Sequence, residues 1–266
     1  MLDALRIAPG SRVDLKDHPA DDKLGLEKTS ALKQIAKLQP RLEELGGLVG
    51  ATKKHAVLAL FQGMDASGKD GAVAHCIGPL NPGIVTVSSF KAPTSTELSH
   101  DFLWRIHQVC PPKGSFGVFN RSHYEDVLVV RVEDLVPKEQ WSRRYDAINA
   151  FERNLVDEGT IVLKFFLNIS RDEQRVQLQE RIDDPTKNWK FNVDDLKKRE
   201  KWDEYMDAYH VLLEKTSTEW APWHVVPSDR KWVRNLVITK VMIDALEKLE
   251  MTWPELPPEE KAIKVV

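Results

Sequence analysis

The sequence predicts an α/β protein in which a parallel five-stranded sheet lies between two layers of helices, with a helical lid at one end. Short apolar runs of strand length alternate with longer segments of helical periodicity, as in βαβ units. A glycine-rich segment, FQGMDASGKDG (61 to 71), overlaps and follows the first of these runs. With 266 residues, the chain is long enough for one large domain of this kind.

Two segments precede the sheet. Residues 1 to 25 contain prolines, glycines and mixed charges without apolar periodicity, so we expect an extended arm that lies on the surface and outside the core. Residues 26 to 50 carry an apolar residue every three or four positions, which predicts an amphipathic helix that ends at the glycine pair 46 and 47 or soon after. The run HAVLALF (55 to 61) is short and continuously apolar, which is typical of a buried parallel strand.

The remaining elements alternate along residues 51 to 250, which we assign to a single domain, with residues 251 to 266 as a C-terminal tail. Four further apolar runs complete the predicted sheet: IVTVSSF (84 to 90), GVFN (117 to 120), TIVLKFFLNI (160 to 169) and WHVVP (223 to 227). Helices are predicted over residues 95 to 109, 138 to 157, 171 to 183, 194 to 217 and 230 to 250.

The segment from about 170 to 201 is rich in arginine and lysine and is interrupted by DDPTKNW, which predicts a hinged pair of helices. Two interpretations stay open. The segment is either a solvated helical hairpin whose acids pair with its bases, or a mobile lid that brings arginines over a bound phosphate.

Composition argues against several classes of protein. The net charge is only −3 and basic residues are interleaved with acidic ones, so we expect no nucleic-acid partner. No segment approaches about 20 consecutive apolar residues and no signal-peptide pattern is seen, so we expect no membrane partner. Cys76 and Cys110 both lie in segments predicted as helical, which favours neither a disulfide framework nor a cysteine metal site. These observations predict a cytoplasmic protein.

The glycine-rich segment matches the spacing G-x-x-x-x-G-K (Walker A), with Gly63, Gly68 and Lys69 at the fixed positions. Between a buried strand and a helix, such a loop surrounds phosphate oxygens with backbone N–H groups, and its lysine contacts the terminal phosphoryl oxygens. A simple strand-to-helix turn is the alternative. The predicted phosphate-binding residues of the loop are Gly63, Ala66, Ser67, Gly68, Lys69, Asp70 and Gly71.

Two carboxylates depart from the usual form of this loop. The residue after the lysine, normally a Ser or Thr that ligates magnesium, is Asp70, and Asp65 lies inside the loop. Because carboxylates repel phosphates unless cations intervene, we expect Mg²⁺, with Mn²⁺ as a substitute, between Asp65 and a polyanion. Asp65 is also a candidate to orient or deprotonate the attacking phosphate oxygen. For Asp70, an interaction with the helix N-terminus alone is an equal alternative.

A second set of polar residues ends another predicted strand, in GVFNRSHYEDV. Asn120 stands at the strand end and is a poorer metal ligand than aspartate, so Asp126 or Glu125 must supply the missing charge if a metal is held here. Arg121 is placed to contact phosphate with its planar guanidinium.

These stretches are similar to the family-2 polyphosphate kinases over most of residues 55 to 235. The matching stretches are GMDASGKDG (63 to 71), SFKAPT (89 to 94), FNRSHYEDVLVVRV (119 to 132) and ERIDDPTKNWKF (180 to 191), continuing into WDEYMDAYHVLL. The resemblance implies a P-loop kinase-like fold with a helical lid, and inorganic polyphosphate as the phosphoryl donor to nucleotides. A long polyanion with its magnesium ions would tolerate carboxylates in the loop.

The resemblance also implies roles for particular residues. Asp65, Lys69, Arg121 and the lid residue Arg181 fall on catalytic and phosphate-binding positions of the family. The variant with Asn120 and Glu125 resembles the class III subgroup, which phosphorylates AMP as well as ADP, and Glu125 is then expected to help place the nucleotide or a metal. The implied reaction is reversible in-line transfer to adenine nucleotides, with guanine nucleotides as an open alternative and without a covalent enzyme intermediate.

Several basic and aromatic residues have weaker assignments. Lys91 is a candidate nucleotide contact, and Arg131 and Arg175 are candidate contacts of the polymer chain, with surface solvation as the alternative for each. For His123 and Tyr124 we expect packing and no part in proton transfer. The eight tryptophans and the N-terminal helix predict a homo-oligomer.

Two other functions stay open. An ATP-dependent nucleoside monophosphate kinase would carry Ser or Thr where this chain has Asp70. A non-catalytic polyphosphate or nucleotide sensor would gain from losing Asp65, because a negative charge weakens anion binding.

Overall fold

The computed structural model describes residues 2 to 261 together with 263 and 265. Within these residues, five parallel strands form one sheet in the spatial order β2, β3, β1, β4, β5. The strands are β1 Ala56–Gln62, β2 Val85–Ser89, β3 Phe116–Asn120, β4 Thr160–Asn168 and β5 Trp223–Pro227. All five coincide with the predicted apolar runs, so the predicted α/β class with a parallel five-stranded sheet is confirmed.

Helices cover both faces of the sheet. They are α1 Leu2–Leu5, α2 Lys28–Thr52, α3 Lys69–Ile77, α4 Ser95–Leu98, α5 Trp104–His107, α6 Val129–Val132, α7 Lys138–Trp141, α8 Arg144–Asp157, α9 Arg171–Asp183, α10 Val193–Glu200, α11 Trp202–Thr216, α12 Lys231–Glu247 and α13 Pro258–Lys261. Alternate side chains of β1 enter two separate cores, because successive residues of a strand point to opposite faces. Val57 and Phe61 pack with α2, α3 and α12, whereas Leu58 and Leu60 pack with α8 and α11.

Helix α2 ends at Thr52, soon after the glycine pair and two residues beyond the predicted end at residue 50. Gly46 and Gly47 allow close packing inside the helix, since a Cβ at Gly46 would lie 2.6 Å from Leu80 and one at Gly47 would lie 2.9 Å from Trp253. The helix ends where Lys53 adopts the left-handed conformation with φ of 51°. The glycines therefore serve packing against the core and the tail, and they do not cap the helix.

Three predicted helices are each divided in two. The segment 95 to 109 forms α4 and α5, 138 to 157 forms α7 and α8, and 194 to 217 forms α10 and α11. The break after α10 falls at Lys201, which is not helical although both neighbours are. Cys110 lies beyond the end of α5, so the prediction that it lies in a helix is wrong.

The first 25 residues are more deeply packed than we expected. They contain α1 and a 3₁₀ turn, and Leu5, Ile7 and Val13 are buried. The Ile7 N–H donates to the Trp223 carbonyl at 2.9 Å, which holds the segment against β5. The prediction that this segment lies outside the core is therefore wrong for these three side chains.

The parallel topology brings three chain segments to one edge of the sheet. Phe61 of β1 and Ser89 of β2 both pair with Asn120 of β3, so the residues after these strands meet at the carboxyl edge. Residues 170 to 201, called the lid segment below, follow the carboxyl end of the neighbouring strand β4 and contain α9, a 3₁₀ turn and α10. Over the described residues, every helix is too short or too polar to cross a membrane.

Candidate active site

The glycine loop joins β1 to α3 at this carboxyl edge. Gly63 and Gly68 have φ of 150° and 89°, and Ala66 has φ of 64°, so the chain turns sharply through conformations that favour glycine. Helix α3 starts at Lys69 with Gly68 as its N-cap residue, and the loop therefore ends at a helix N-terminus. The buried Ser67 Oγ has no hydrogen-bond partner among the described residues. This geometry is that of an anion-binding loop.

Lys69 is buried across the loop. Its Nζ donates to the carbonyls of Gly63 at 2.6 Å and Met64 at 3.0 Å. Burial and the neighbouring charge of Arg121 lower the pKa of Lys69 to about 8, against the attraction of Asp65. At neutral pH the lysine is therefore mostly charged, and a bound phosphate would supply the matching negative charge.

Asp65 and Arg121 form an ion pair above the loop. The second oxygen of Asp65 lies 3.3 Å from Lys198 Nζ of α10. Burial alone would raise the pKa of Asp65, but Arg121, Lys69 and Lys198 outweigh that effect and lower the pKa to about 2. Asp65 is thus a firmly ionised carboxylate that ties the lid segment to the loop.

Glu125 lies behind Arg121 and does not line the main cavity. Its Oε1 accepts from Gln62 Nε2 at 3.0 Å, and its Oε2 lies 3.5 Å from Arg121 Nη1. Burial alone would lower the pKa of Arg121, but the negative charges of Glu125 and Asp65 outweigh that effect and raise the pKa. Glu125 thus helps to hold Arg121 in place, and its expected part in placing the nucleotide or a metal stays a prediction.

Asn120 and Asp70 meet at the mouth of the loop, where Asn120 Nδ2 donates to Asp70 Oδ1 at 2.6 Å. The two side chains present hard oxygen atoms beside the helix N-terminus, and both line the loop cavity described below. Oxygen donors of this kind suit magnesium.

Asp126 is not brought to this place. Its Oδ1 lies 3.1 Å from Arg144 Nη1 and its Oδ2 lies 3.5 Å from Arg105 Nη2, in a separate cavity beside α8. Residues 123 to 126 form a 3₁₀ helix with about three residues per turn, so neighbouring side chains point in different directions. The expectation that Asp126 joins Asn120 at one metal site is therefore wrong.

An open cavity of about 560 Å³, called the loop cavity, lies between the glycine loop, the end of β2 and the lid segment. Among the described residues, eight cationic side chains and four carboxylates line it. The cationic residues are Lys69, Lys91, Arg121, Arg181, Lys187, Lys190, Lys231 and Arg234. The carboxylates are those of Asp65, Asp70, Glu180 and Asp195. This excess of cations favours a polyanionic ligand.

The predicted substrate residues divide between this cavity and other places. Lys91 and Arg181 line the loop cavity, and Arg181 Nη1 is also bonded to Asp195 at 2.9 Å. Arg175 is exposed on α9 outside the lining of the cavity. Arg131 lies over the ring of Trp141 at 5.1 Å, in a different surface hollow. The structure therefore gives no support to Arg131 as a phosphate contact at the loop.

His123 and Tyr124 belong to a buried polar cluster, as we expected for packing residues. Lys164 Nζ lies 2.6 Å from Glu152 Oε2 and 3.0 Å from Tyr124 Oη, and His123 Nε2 lies 3.2 Å from Glu152 Oε1. Burial lowers the pKa of Lys164, and Glu152 opposes that shift. This cluster anchors the segment that presents Arg121 and Glu125.

Sequence reasoning missed several contacts of the cavity and the loop, of which those made by Lys198, Gln174 and Arg234 matter most to the site. Lys198 and Gln174 of the lid segment reach Asp65, and nothing in their local sequence separates them from neighbouring polar residues. Arg234 of α12 is almost completely buried, and its spacing from the apolar Val237 and Val241 places it on the buried face of the helix. Because arginine is rarely buried, an arginine on the apolar face of a predicted helix is a signal that could have been found in the sequence.

Comparisons with known proteins agree with this geometry. The family model for polyphosphate kinase 2 matches residues 25 to 254. An AMP/ADP-polyphosphate phosphotransferase of Meiothermus ruber is 49% identical over 263 residues, which cover 98% of both chains. An ADP-polyphosphate phosphotransferase of Rhodopseudomonas palustris is 43% identical over 95% of this chain and 92% of that protein.

A solved structure gives the same result for the fold. The crystal structure of polyphosphate kinase 2 from Arthrobacter aurescens matches with a TM-score of 0.93 and 42% identity, covering 97% of this chain and 94% of that one. The likeness therefore extends over nearly the whole chain. The chain therefore belongs to the polyphosphate kinase 2 family.

Proposed function

We propose that the protein is a polyphosphate-dependent nucleotide kinase that transfers the terminal phosphoryl group of inorganic polyphosphate reversibly to AMP and ADP. The observation that carries the proposal is the loop cavity, where cations outnumber carboxylates two to one at a helix N-terminus. A polymer of phosphates fits such a lining better than a single small anion does. The names of the relatives from Meiothermus ruber and Rhodopseudomonas palustris support this donor and these acceptors.

The chemistry follows from positioning and charge. Phosphoryl transfer passes through a loose transition state whose charge is spread over the peripheral oxygens, so cations fixed in advance supply most of the catalysis. Lys69 and Arg121 lie at the loop, and Arg181 lines the same cavity from the lid segment. Together they surround the space in which donor and acceptor phosphates would lie in line.

Asp65 has a positioning role in this mechanism. A carboxylate with a pKa of about 2 is a weak base at neutral pH, and the phosphate that attacks is already ionised. We therefore favour alignment over deprotonation among the two roles predicted for Asp65. Its ion pairs hold Arg121, which follows β3, and Lys198 of the lid segment at the loop.

Magnesium would be held by Asp70 and Asn120 at the loop mouth, with Asp65 as a further oxygen ligand. The described residues include no group of three or more His, Cys, Asp or Glu side chains that could hold a metal ion. The ion would therefore take most of its ligands from phosphate and water, as Mg²⁺ commonly does. When bound, it would neutralise phosphate charge beside the two loop carboxylates.

Other parts of the proposal rest on the sequence alone. A cytoplasmic location, a homo-oligomeric state, Mn²⁺ as a substitute and guanine nucleotides as acceptors stay predictions. Lys91 lines the loop cavity and stays the candidate nucleotide contact.

A donor comparison tests the proposal. Purified protein with Mg²⁺ is given polyphosphate and AMP, then polyphosphate and ADP, and finally ATP and AMP, and the nucleotides are separated by chromatography. We expect ADP and ATP to form with polyphosphate as donor. If ATP alone serves as donor, the protein is an ordinary nucleotide kinase, and if substrates bind without turnover, it is a sensor.

A further inference from the structure

Arg234 lies in the first turn of α12 and is only 3% exposed. Among the described residues, its hydrogen-bond acceptor is the neighbouring Asn235 Oδ1, which lies 3.2 Å from Nε and 3.1 Å from Nη2. The ion pairs found among those residues do not include one to Arg234. Buried arginines are ordinarily matched by a carboxylate, because an uncompensated charge is costly to remove from water.

The unpaired end of this guanidinium faces the glycine loop. A Cβ added at Gly68 would collide with Arg234 Nη1, and one added at Gly71 would lie 3.3 Å from Nη2. Arg234 also lines the loop cavity. Its bonds to Asn235 use Nε and Nη2, so Nη1, which lies at the N-terminus of α3, has no acceptor among the residues that the structure describes.

The surroundings of Arg234 make its charge still less favourable when no ligand is bound. The residue lies within the first turn of α12 and beside the N-terminus of α3, and each helix places partial positive charge there. Lys69 adds a full positive charge at the same loop. The Arg234 cation is therefore buried beside two helix N-termini that carry partial positive charge, and a bound anion would compensate for these charges.

We propose that Arg234 is a phosphate-binding residue, and that its counter-charge is the condensed phosphate held by the glycine loop. The inference rests on the proposed function, since it assumes that the loop binds such a chain. Arg234 reaches the anion from α12, whereas Arg121 reaches it from β3 and Arg181 from the lid segment. The Arg234 guanidinium therefore adds a cation on the α12 side of the loop, where none of the motifs matched in the sequence supplies one.

The inference predicts an unusual combination of effects. Replacing Arg234 by Met keeps much of the side-chain volume and removes the charge. The anion-free protein should be as stable as the wild type or more stable, because an unfavourable buried charge is lost. Binding of condensed phosphate should weaken by at least about tenfold, the loss expected for one charge-assisted contact of about 1.4 kcal/mol. A residue with a structural role alone would show the reverse.

The experiment uses the full chain and follows thermal unfolding with tripolyphosphate or ADP as the added probe. Arg234→Met and Arg234→Lys are compared with Lys240→Met, a control on the same helix whose Nζ bonds to Gln34 at 2.8 Å away from the cavity. We expect both probes to stabilise the wild type and the control. We expect Arg234→Met to respond weakly to one probe or both, and Arg234→Lys to respond between the two extremes.

The outcomes distinguish a failure of the role given to Arg234 from a failure of the proposed function. A smaller response to tripolyphosphate alone assigns Arg234 to the donor, and a smaller response to ADP alone assigns it to the nucleotide phosphates. Wild-type affinity of Arg234→Met for both probes, or a clear loss of its anion-free stability, would overturn the role given to Arg234. Absence of any response in the wild type would instead overturn the proposed function.

Discussion

At the scale of single residues, Arg121 links the end of the sheet to the proposed chemistry. Its backbone has φ of 61°, a left-handed conformation that costs a non-glycine residue about 1 to 3 kcal/mol. Its N–H donates to the Phe61 carbonyl at 3.1 Å, and its side chain is paired with Asp65 and Glu125. The contacts on both sides hold the unfavourable conformation and aim the guanidinium at the loop.

Replacing Asp65 by Asn should separate binding from turnover. The change keeps the shape and removes the charge that orders Arg121 and Lys198. We expect kcat to fall by about 100-fold or more, while KM for polyphosphate stays level or falls because a negative charge has left the loop. Steady-state kinetics measures both values, and an unchanged kcat would remove Asp65 from the mechanism.

Lys69 should make substrate capture sensitive to alkaline pH. Its pKa in the free protein is about 8, so the lysine is charged below that value and loses its charge as pH rises through it. We expect kcat/KM for polyphosphate to decline above pH 8, since kcat/KM reports groups of the free enzyme. Circular dichroism over the same range serves as the control for folding. A level profile up to pH 10 would contradict this assignment.

At the scale of elements, the strands could be predicted and several short helices could not. Each strand is a continuous apolar run because both faces of a parallel sheet are buried, and that signal is local. The division of 194 to 217 into α10 and α11 has no such local signal. The predicted position of Asp126 was wrong for a related reason. A 3₁₀ turn has fewer residues per turn than an α-helix, so the side chains of the same residues point in other directions.

Lys198 should couple the lid segment to the loop. Its Nζ lies 3.3 Å from Asp65, whereas the adjacent Lys197 pairs with Asp194 and is exposed. We expect Lys198→Met to lower kcat by about tenfold, the equivalent of one ion pair of about 1.4 kcal/mol at the loop. Lys197→Met is the matched control and should behave as the wild type. Equal kinetics for the two variants would leave the lid contact without a catalytic role.

The buried pair of Lys164 and Glu152 should dominate the stability of the half of the sheet near β4. Lys164→Met removes the cation that pairs with Glu152 in the core and leaves only its neutral contacts to His123 and Tyr124, so we expect a loss of about 3 to 5 kcal/mol in the free energy of unfolding. The double variant Lys164→Met and Glu152→Gln should recover part of that loss. Urea unfolding measures both, and a single-variant loss below about 1 kcal/mol would show that the pair is solvated.

At the scale of the whole molecule, the site is assembled from chain segments that are far apart in sequence. Local motifs identified Asp65, Lys69 and Arg121, because the glycine loop and the end of β3 each contain a recognisable short sequence pattern. Lys198 and Arg234 reach the loop only through tertiary packing, from 133 residues beyond Asp65 in the first case. Their roles could not be predicted before the helices were placed around the sheet.

The most direct test of the central claim is the rate at which polyphosphate converts AMP to ADP in the presence of Mg²⁺, measured for the wild type, Lys69→Met and Lys240→Met. The wild type and Lys240→Met should form ADP at equal rates, because Lys240 lies outside the loop cavity. Lys69→Met should be slower by about 100-fold or more, since it loses the buried cation of the loop. Equal rates for all three proteins would place the transfer elsewhere and contradict the account.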